Sequence, residues 1–178
     1  MIVPGELLEF WRDAGMGKWF RGGDDFDAEC RARWLDAHFA AARRAFDDWM
    51  DAADSALALV LLLDQIPRNV FRKSGHAFAT DPLALHYAGR AIDAGFDAQV
   101  DPSLRFFFYL PFEHSEAIAD QDRAVDLFTA LGNADLLGYA NAHRDVIVRF
   151  GRFPHRNAPL GRNNTADEQA WLEAGGGF

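Results

Sequence analysis

Two stretches of this chain leave almost no polar side to a helix. Leu57 to Leu63 contains only leucine, alanine and valine, and Leu104 to Leu110 is nearly as apolar, with Phe106, Phe107, Phe108 and Tyr109 in succession. A helix that is hydrophobic all round has to be enclosed by neighbours. Both stretches are therefore expected at the centre of the fold, with amphipathic helices packed around them.

The surrounding pattern supplies those helices. Pro4 opens a short one whose Leu7, Leu8, Phe10 and Trp11 form an apolar stripe that Gly15 and Gly17 are expected to end. Asp25 or Asp27 caps the next, in which Cys30, Trp34, Ala37, Ala41 and Ala45 recur at helical spacing. Asp54 or Ser55 caps the first enclosed helix, and Pro67 is expected to stop it near Gln65 or Ile66. Asp81-Pro82 opens a helix that runs to Gly95, and Asp101-Pro102 opens the second enclosed helix, which ends at Pro111. Ala124 to Leu131 continues to Gly132, and Asn133 caps a helix with Leu136, Ala140, His143, Ile147 and Phe150 on one stripe. Thr165 and Glu168 form a capping-box pattern before Trp171.

The pattern predicts an all-α protein of about seven or eight helices joined by short turns and stacked as antiparallel helical hairpins. Residues 1–174 read as a single domain and residues 175–178 as a flexible tail. No fixed-period repeat is visible.

Composition narrows the function. The net charge of −9 argues against nucleic acid or an anionic membrane as partner. Cys30 is the sole cysteine, so there is no disulfide framework, and on its buried stripe it reads as a small core residue. The N-terminus lacks a basic segment, and no apolar run approaches the ~20 residues of a membrane helix. A soluble, cytoplasmic protein without cofactor is expected.

Within this acidic chain, Arg149 to Arg162 carries four arginines and His155 and no acid. Guanidinium forks at Arg149, Arg152, Arg156 and Arg162 suit a phosphate or carboxylate. Equally, they suit pairing with Glu113, Glu116, Asp120 and Asp122. Each enclosed stretch also ends in polar residues: Asp64, Arg68 and Asn69 after the first, His114, Glu116 and Asp120 after the second. Asp64 and Arg68 either pair with each other or face a ligand. His143 lies mid-stripe on the helix that leads into the arginines, either as a hydrogen-bonded core residue or as part of a site.

Four blocks carry a resemblance. They are Leu61-Leu-Leu-Asp-Gln-Ile-Pro-Arg-Asn-Val-Phe-Arg72, Ala77-Phe-Ala-Thr-Asp81, Tyr109-Leu-Pro-Phe-Glu-His-Ser-Glu116 with Ala119-Asp-Gln121, and Arg149 to Asn157 with Leu160-Gly-Arg162. Together they resemble the signature blocks of a largely bacterial family, domain of unknown function 924. The resemblance implies a fold similar to the tetratricopeptide-like helical superfamily and implies no activity, cofactor or catalytic residue. Ile66 stands where such proteins often have Phe, and Glu113 where an apolar residue is common.

The expected function is binding of a small anionic ligand in a polar cleft formed by Asp64, Arg68, Asn69, His114, Glu116, Asp120, His143, Arg149, Arg152, His155, Arg156 and Arg162. Two alternatives stay open. One is a hydrolase using His114, Glu116 or His143 in acid–base catalysis, although no GxSxG elbow or HExxH zinc motif is present. The other is a helical scaffold binding acidic peptides or protein C-termini.

Overall fold

The structure, a computed structural model, describes residues 3–178, which form eight α-helices and no strand. The chain divides into two compact units. The first runs to Arg72 and adds His76–Pro111; the second takes Lys73–Gly75 and Phe112–Phe178. No helix among the described residues is long and apolar enough to cross a membrane.

The first unit is organised around α3 (Ala53–Val70), which packs against α1 (Pro4–Arg21), α2 (Asp24–Ala42) and α4 (Asp81–Asp93). Every residue from Ala56 to Pro67 is buried, as the all-apolar pattern requires. Trp11 and Trp19 meet Phe107 edge-on, with ring centroids 5.7 and 5.0 Å apart, the geometry that the aromatic quadrupole favours. Cys30 is fully buried, and burial, helped by Asp27, pushes its thiol up to about 12. It is a packing residue, inert as a nucleophile.

The stop at Gly15 holds: φ 65° and ψ 177° at that glycine are not helical and break α1 into two helical segments, the second running to Arg21. Other expectations need correction. Neither α2 nor α3 has a side-chain cap; they begin after Gly23 and Ala52, so Asp25, Asp27, Asp54 and Ser55 lie inside the helices. The Phe106–Phe108 stretch is buried as expected but is wound as a 3-10 turn, Arg105–Phe108, followed by the single turn α5 (Leu110–Glu113). Pro111 offers no amide to the Phe107 carbonyl, so a regular α-helix through this stretch would lack a rung, and the tighter winding avoids the gap.

Pro67 does not stop α3, which continues to Val70. A proline there leaves the Leu63 carbonyl without its partner one turn on. Thr80, just before α4, supplies the replacement: its hydroxyl donates to the Leu63 oxygen at 2.5 Å. The neighbouring Leu62 carbonyl receives the His38 imidazole at 2.8 Å. Burial lowers the His38 pKa, which keeps the ring neutral with its proton assigned to Nδ1. Tertiary hydrogen bonds therefore carry the helix past a residue that would otherwise break it.

The second unit is built on the hairpin of α6 (Ile118–Leu131) and α7 (Ala134–Phe150), followed by an irregular segment and α8 (Ala166–Glu173). The hairpin turn follows local sequence rules. Gly132 takes the left-handed conformation, φ 76°, and the Asn133 side chain accepts the Asp135 and Leu136 amides at 3.1 Å each. Val146, Ile147 and Phe153 form its core, with Phe150 and Trp171 against them.

Thr80→Val keeps the volume of this side chain but strands a buried carbonyl. It is expected to cost about 1–3 kcal/mol of stability in a urea titration. Thr80→Ser, which keeps the hydroxyl, should cost well under half as much.

Candidate functional site

The segment after α7 is held by two guanidinium–carboxylate forks. Arg162 grips Glu116 through both terminal nitrogens at 2.7 and 2.9 Å, and the same carboxylate accepts the Phe153 amide at 2.8 Å. Burial works to raise the Glu116 pKa, but Arg162 and the Phe153 amide outweigh it and hold the carboxyl below its ordinary range. Arg152 grips Glu168 at 2.6 and 2.8 Å and also donates to the Asn163 carbonyl at 2.8 Å. The Arg152 guanidinium holds Glu168 down at about 2 against the cost of burial, and the Thr165 amide assists. Thr165 and Glu168 complete the expected capping box, so one carboxylate serves both the helix end and the arginine. Asn157, fully buried, adds bonds to Asn164 and Arg162 at 2.8 Å each.

Beside this clamp lies a cluster of rings and charges centred on His143, which is only 7% exposed. Its Nδ1 stands 2.9 Å from the Tyr139 carbonyl one turn back and 3.4 Å from Glu113 Oε1. Burial pushes its pKa down to about 3; the Tyr139 bond opposes the shift, and His114, Arg156 and His155 deepen it. The imidazole is therefore neutral, with its proton assigned to Nδ1 for donation to the carbonyl. His114 approaches with ring centroids 6.4 Å apart, and Phe153 meets His143 edge-on at 5.6 Å. Arg156, 6% exposed, lies with its guanidinium carbon 4.6 Å from the centroid of the Phe153 ring.

The structure thus brings His114, His143, His155 and Arg156 to one cluster and Glu116, Arg152 and Arg162 into the clamp beside it. Asp120, in the first turn of α6, accepts the hydroxyl of Ser115 from the turn before it at 2.6 Å. Arg149 is exposed and lies over Phe150, 4.6 Å from the ring centroid.

Asp64, Arg68 and Asn69 belong to the first unit and form a network there. Arg68 bridges Asp64 and Asp81, at 3.1 and 2.8 Å, and also donates to the Asp64 carbonyl at 2.6 Å. Asp64 is fully buried and takes a further bond of 2.6 Å from Gln65. Asn69 donates to the Gln65 carbonyl at 3.1 Å and accepts from Arg72, which is itself paired with Asp27. A surface groove of about 490 Å³ in this unit is lined by Glu6, Glu9, Asp13, Lys18, Phe26 and Arg33 among others, and by none of the predicted site residues.

Three residues that the sequence pattern underweights complete the picture. Glu113, out of place for its block, is the buried acid nearest His143. Glu168, which its cap alone would explain, is the second anchor of the clamp. Phe178, in the tail expected to be flexible, stacks on His143 with centroids 3.6 Å apart. Among the described residues, no group of three or more His, Cys, Asp or Glu side chains could hold a metal ion.

Similarity to known proteins places this geometry. The model of a family described as bacterial protein of unknown function, DUF924, matches residues 7–176. The chain belongs to the DUF924 family. A solved structure of a protein of unknown function, ATU0120 from Agrobacterium tumefaciens, is 51% identical. It superposes with a TM-score of 0.93, over 96% of this chain and 97% of that one. No curated protein matches this DUF924 member at significant similarity. The four sequence blocks that carried the resemblance hold the Asp64–Arg68–Asp81 network and the Glu116–Arg162 fork, so in this DUF924 member they coincide with its ion-pair networks.

The depressed pKa values make stability depend on pH in two ways. His143 has a folded pKa below its ordinary 6.5, so the unfolded chain binds a proton that the folded chain refuses. Stability is lost as pH falls from 6.5 toward about 3, and the His143 ring protons should show no NMR titration step between about pH 5 and 8. Glu168 stabilises the fold above its ordinary 4.5, a contribution lost as pH falls toward about 2. Glu168→Gln should lower stability at neutral pH and flatten that acid limb in denaturant titrations.

Proposed function

We propose that the second unit binds a small anionic ligand, phosphate- or carboxylate-bearing, at the cluster of His143, His155 and Arg156. The observation that carries the reading is the convergence of a nearly buried guanidinium, Arg156, with the rings of His143, Phe153 and His155. Burial is the main cause of the low His143 pKa, and Arg156, His114 and His155 add to it; the part due to these neighbours is a positive field of the sign that attracts an anion. Arg156 supplies a charge that no physiological pH removes, in a fork geometry suited to paired oxygens. The neutral His143 imidazole supplies a hydrogen-bonding group beside it without adding charge. Arg152 and Arg162 serve this reading indirectly, by fixing the backbone that presents Phe153 and Arg156. Glu113, 3.4 Å from His143 Nδ1, is a buried acid at the cluster, so a bound anion would lie on the far side of His143 from it.

A hydrolytic reading has one observation in its favour, the 3.4 Å approach of Glu113 to His143 Nδ1. It is the weaker reading, because an imidazole held at about 3 is a poor general base at neutral pH. The scaffold reading rests on the α6–α7 hairpin, the kind of unit that tetratricopeptide-like stacks repeat.

A thermal-shift series with inorganic phosphate and with simple carboxylates tests the proposal, since a ligand that prefers the folded state raises Tm. Phosphate or a carboxylate should raise Tm in the unaltered chain and in Arg156→Lys, but not in Arg156→Gln, with far-UV circular dichroism confirming that both variants are folded. Absence of any anion-dependent shift in the unaltered chain would overturn the reading.

A further inference from the structure

After α8 the chain turns back onto the histidine cluster. The Gly175 and Gly176 amides close the helix on the Leu172 and Trp171 carbonyls at 3.0 and 2.9 Å. Gly176 lies flat against the Trp171 indole, where a β-carbon would stand 2.3 Å from the nearest ring atom. Only glycine permits that approach. A β-carbon on Gly177, whose φ is 140°, would lie 3.6 Å from the His155 β-carbon.

Phe178 then enters a slot with three aromatic walls. It stacks face-on to His143 at 3.6 Å and 13°, and meets Phe153 at 6.2 Å and 89° and His155 at 5.7 Å and 81°. One face and two edges are thus in the arrangements that π-systems favour. Yet Phe178 remains 55% exposed. Burial does little to hold it there; the ring geometry of the slot does, and a tether of three glycines gives up little when it lets go. The wall ring Phe153 is also the one that Arg156 covers at 4.6 Å. The slot and the guanidinium thus share one wall, the Phe153 ring.

We propose that His143, Phe153 and His155 form a subsite for an aromatic ring, that the ligand is an aryl anion with its charged group toward Arg156, and that Phe178 is a tethered occupant displaced on binding. The inference rests on the anion reading above and adds to it the class of the uncharged part of the ligand. The tail competes as an intramolecular ligand, so its effective concentration sets how much affinity it masks.

Calorimetric titration of the full chain and of Phe178→Ala with inorganic phosphate and with phenyl phosphate tests this. Because Phe178 is more exposed than buried, its replacement should leave the fold intact. Phenyl phosphate should bind Phe178→Ala about two- to tenfold more tightly than it binds the unaltered chain, while the affinity for inorganic phosphate stays the same. In NMR, Phe178→Ala should lose the ring-current shift on the His143 ring protons, and phenyl phosphate should restore one. If both probes bind Phe178→Ala equally, or phenyl phosphate gains nothing from the substitution, the aromatic subsite is overturned and the anion reading stands. If neither probe binds either protein, both fall.

Discussion

Two guanidinium–carboxylate forks, Arg162 on Glu116 and Arg152 on Glu168, hold the irregular segment after α7 in one shape. Turn hydrogen bonds shape the segment locally, from the Phe153–Arg156 turn to the Asn157–Arg162 one, and the two forks tie those turns to α8 and to the turn before α6. Glu116 does more than neutralise an arginine, because it also accepts the Phe153 amide and so places that ring at the centre of the unit's core. Cations that look alike in sequence thereby divide the labour. Arg152 and Arg162 build the frame, Arg149 lies on the exterior, and Arg156 sits inside against the aromatic rings. In the proposed reading the ligand meets the last of these and the histidines around it.

Membership of the DUF924 family and likeness to the Agrobacterium tumefaciens structure agree with the helical architecture and carry no activity with them. Function has therefore to be argued from local physical chemistry. The His143 cluster is informative because it gathers Arg156, Glu113 and the imidazoles of His114 and His155 around a histidine whose proton affinity is lowered by burial and by those cationic neighbours.

The parts of the fold legible in the sequence are those that local rules decide. α3 is visible because it has no polar face, and the Gly132–Asn133 turn and the Thr165 capping box because their residue types fit one backbone geometry each. Pro67 misleads because its remedy, Thr80, lies on another element, and a tertiary bond leaves no trace in a local pattern. The arginine segment is legible as a concentration of charge, but its pairing is not: Glu116 and Arg162 are far apart along the chain, and spacing in sequence carries no distance in space. Glu168 is hidden for a different reason, since the capping box already accounts for it and conceals its second oxygen's partner. Phe178 is masked by its three preceding glycines, which speak for freedom of the backbone and say nothing of the ring they carry.

The bond between the Thr80 hydroxyl and the Leu63 carbonyl has an evolutionary corollary. It serves a carbonyl that Pro67 leaves without an amide partner, so the residues at 67 and 80 are coupled in energy. A lineage that regains an ordinary residue at 67 frees position 80 to drift, whereas one that loses the hydroxyl first passes through a less stable intermediate. That coupling makes one order of substitution at the two positions less costly than the other.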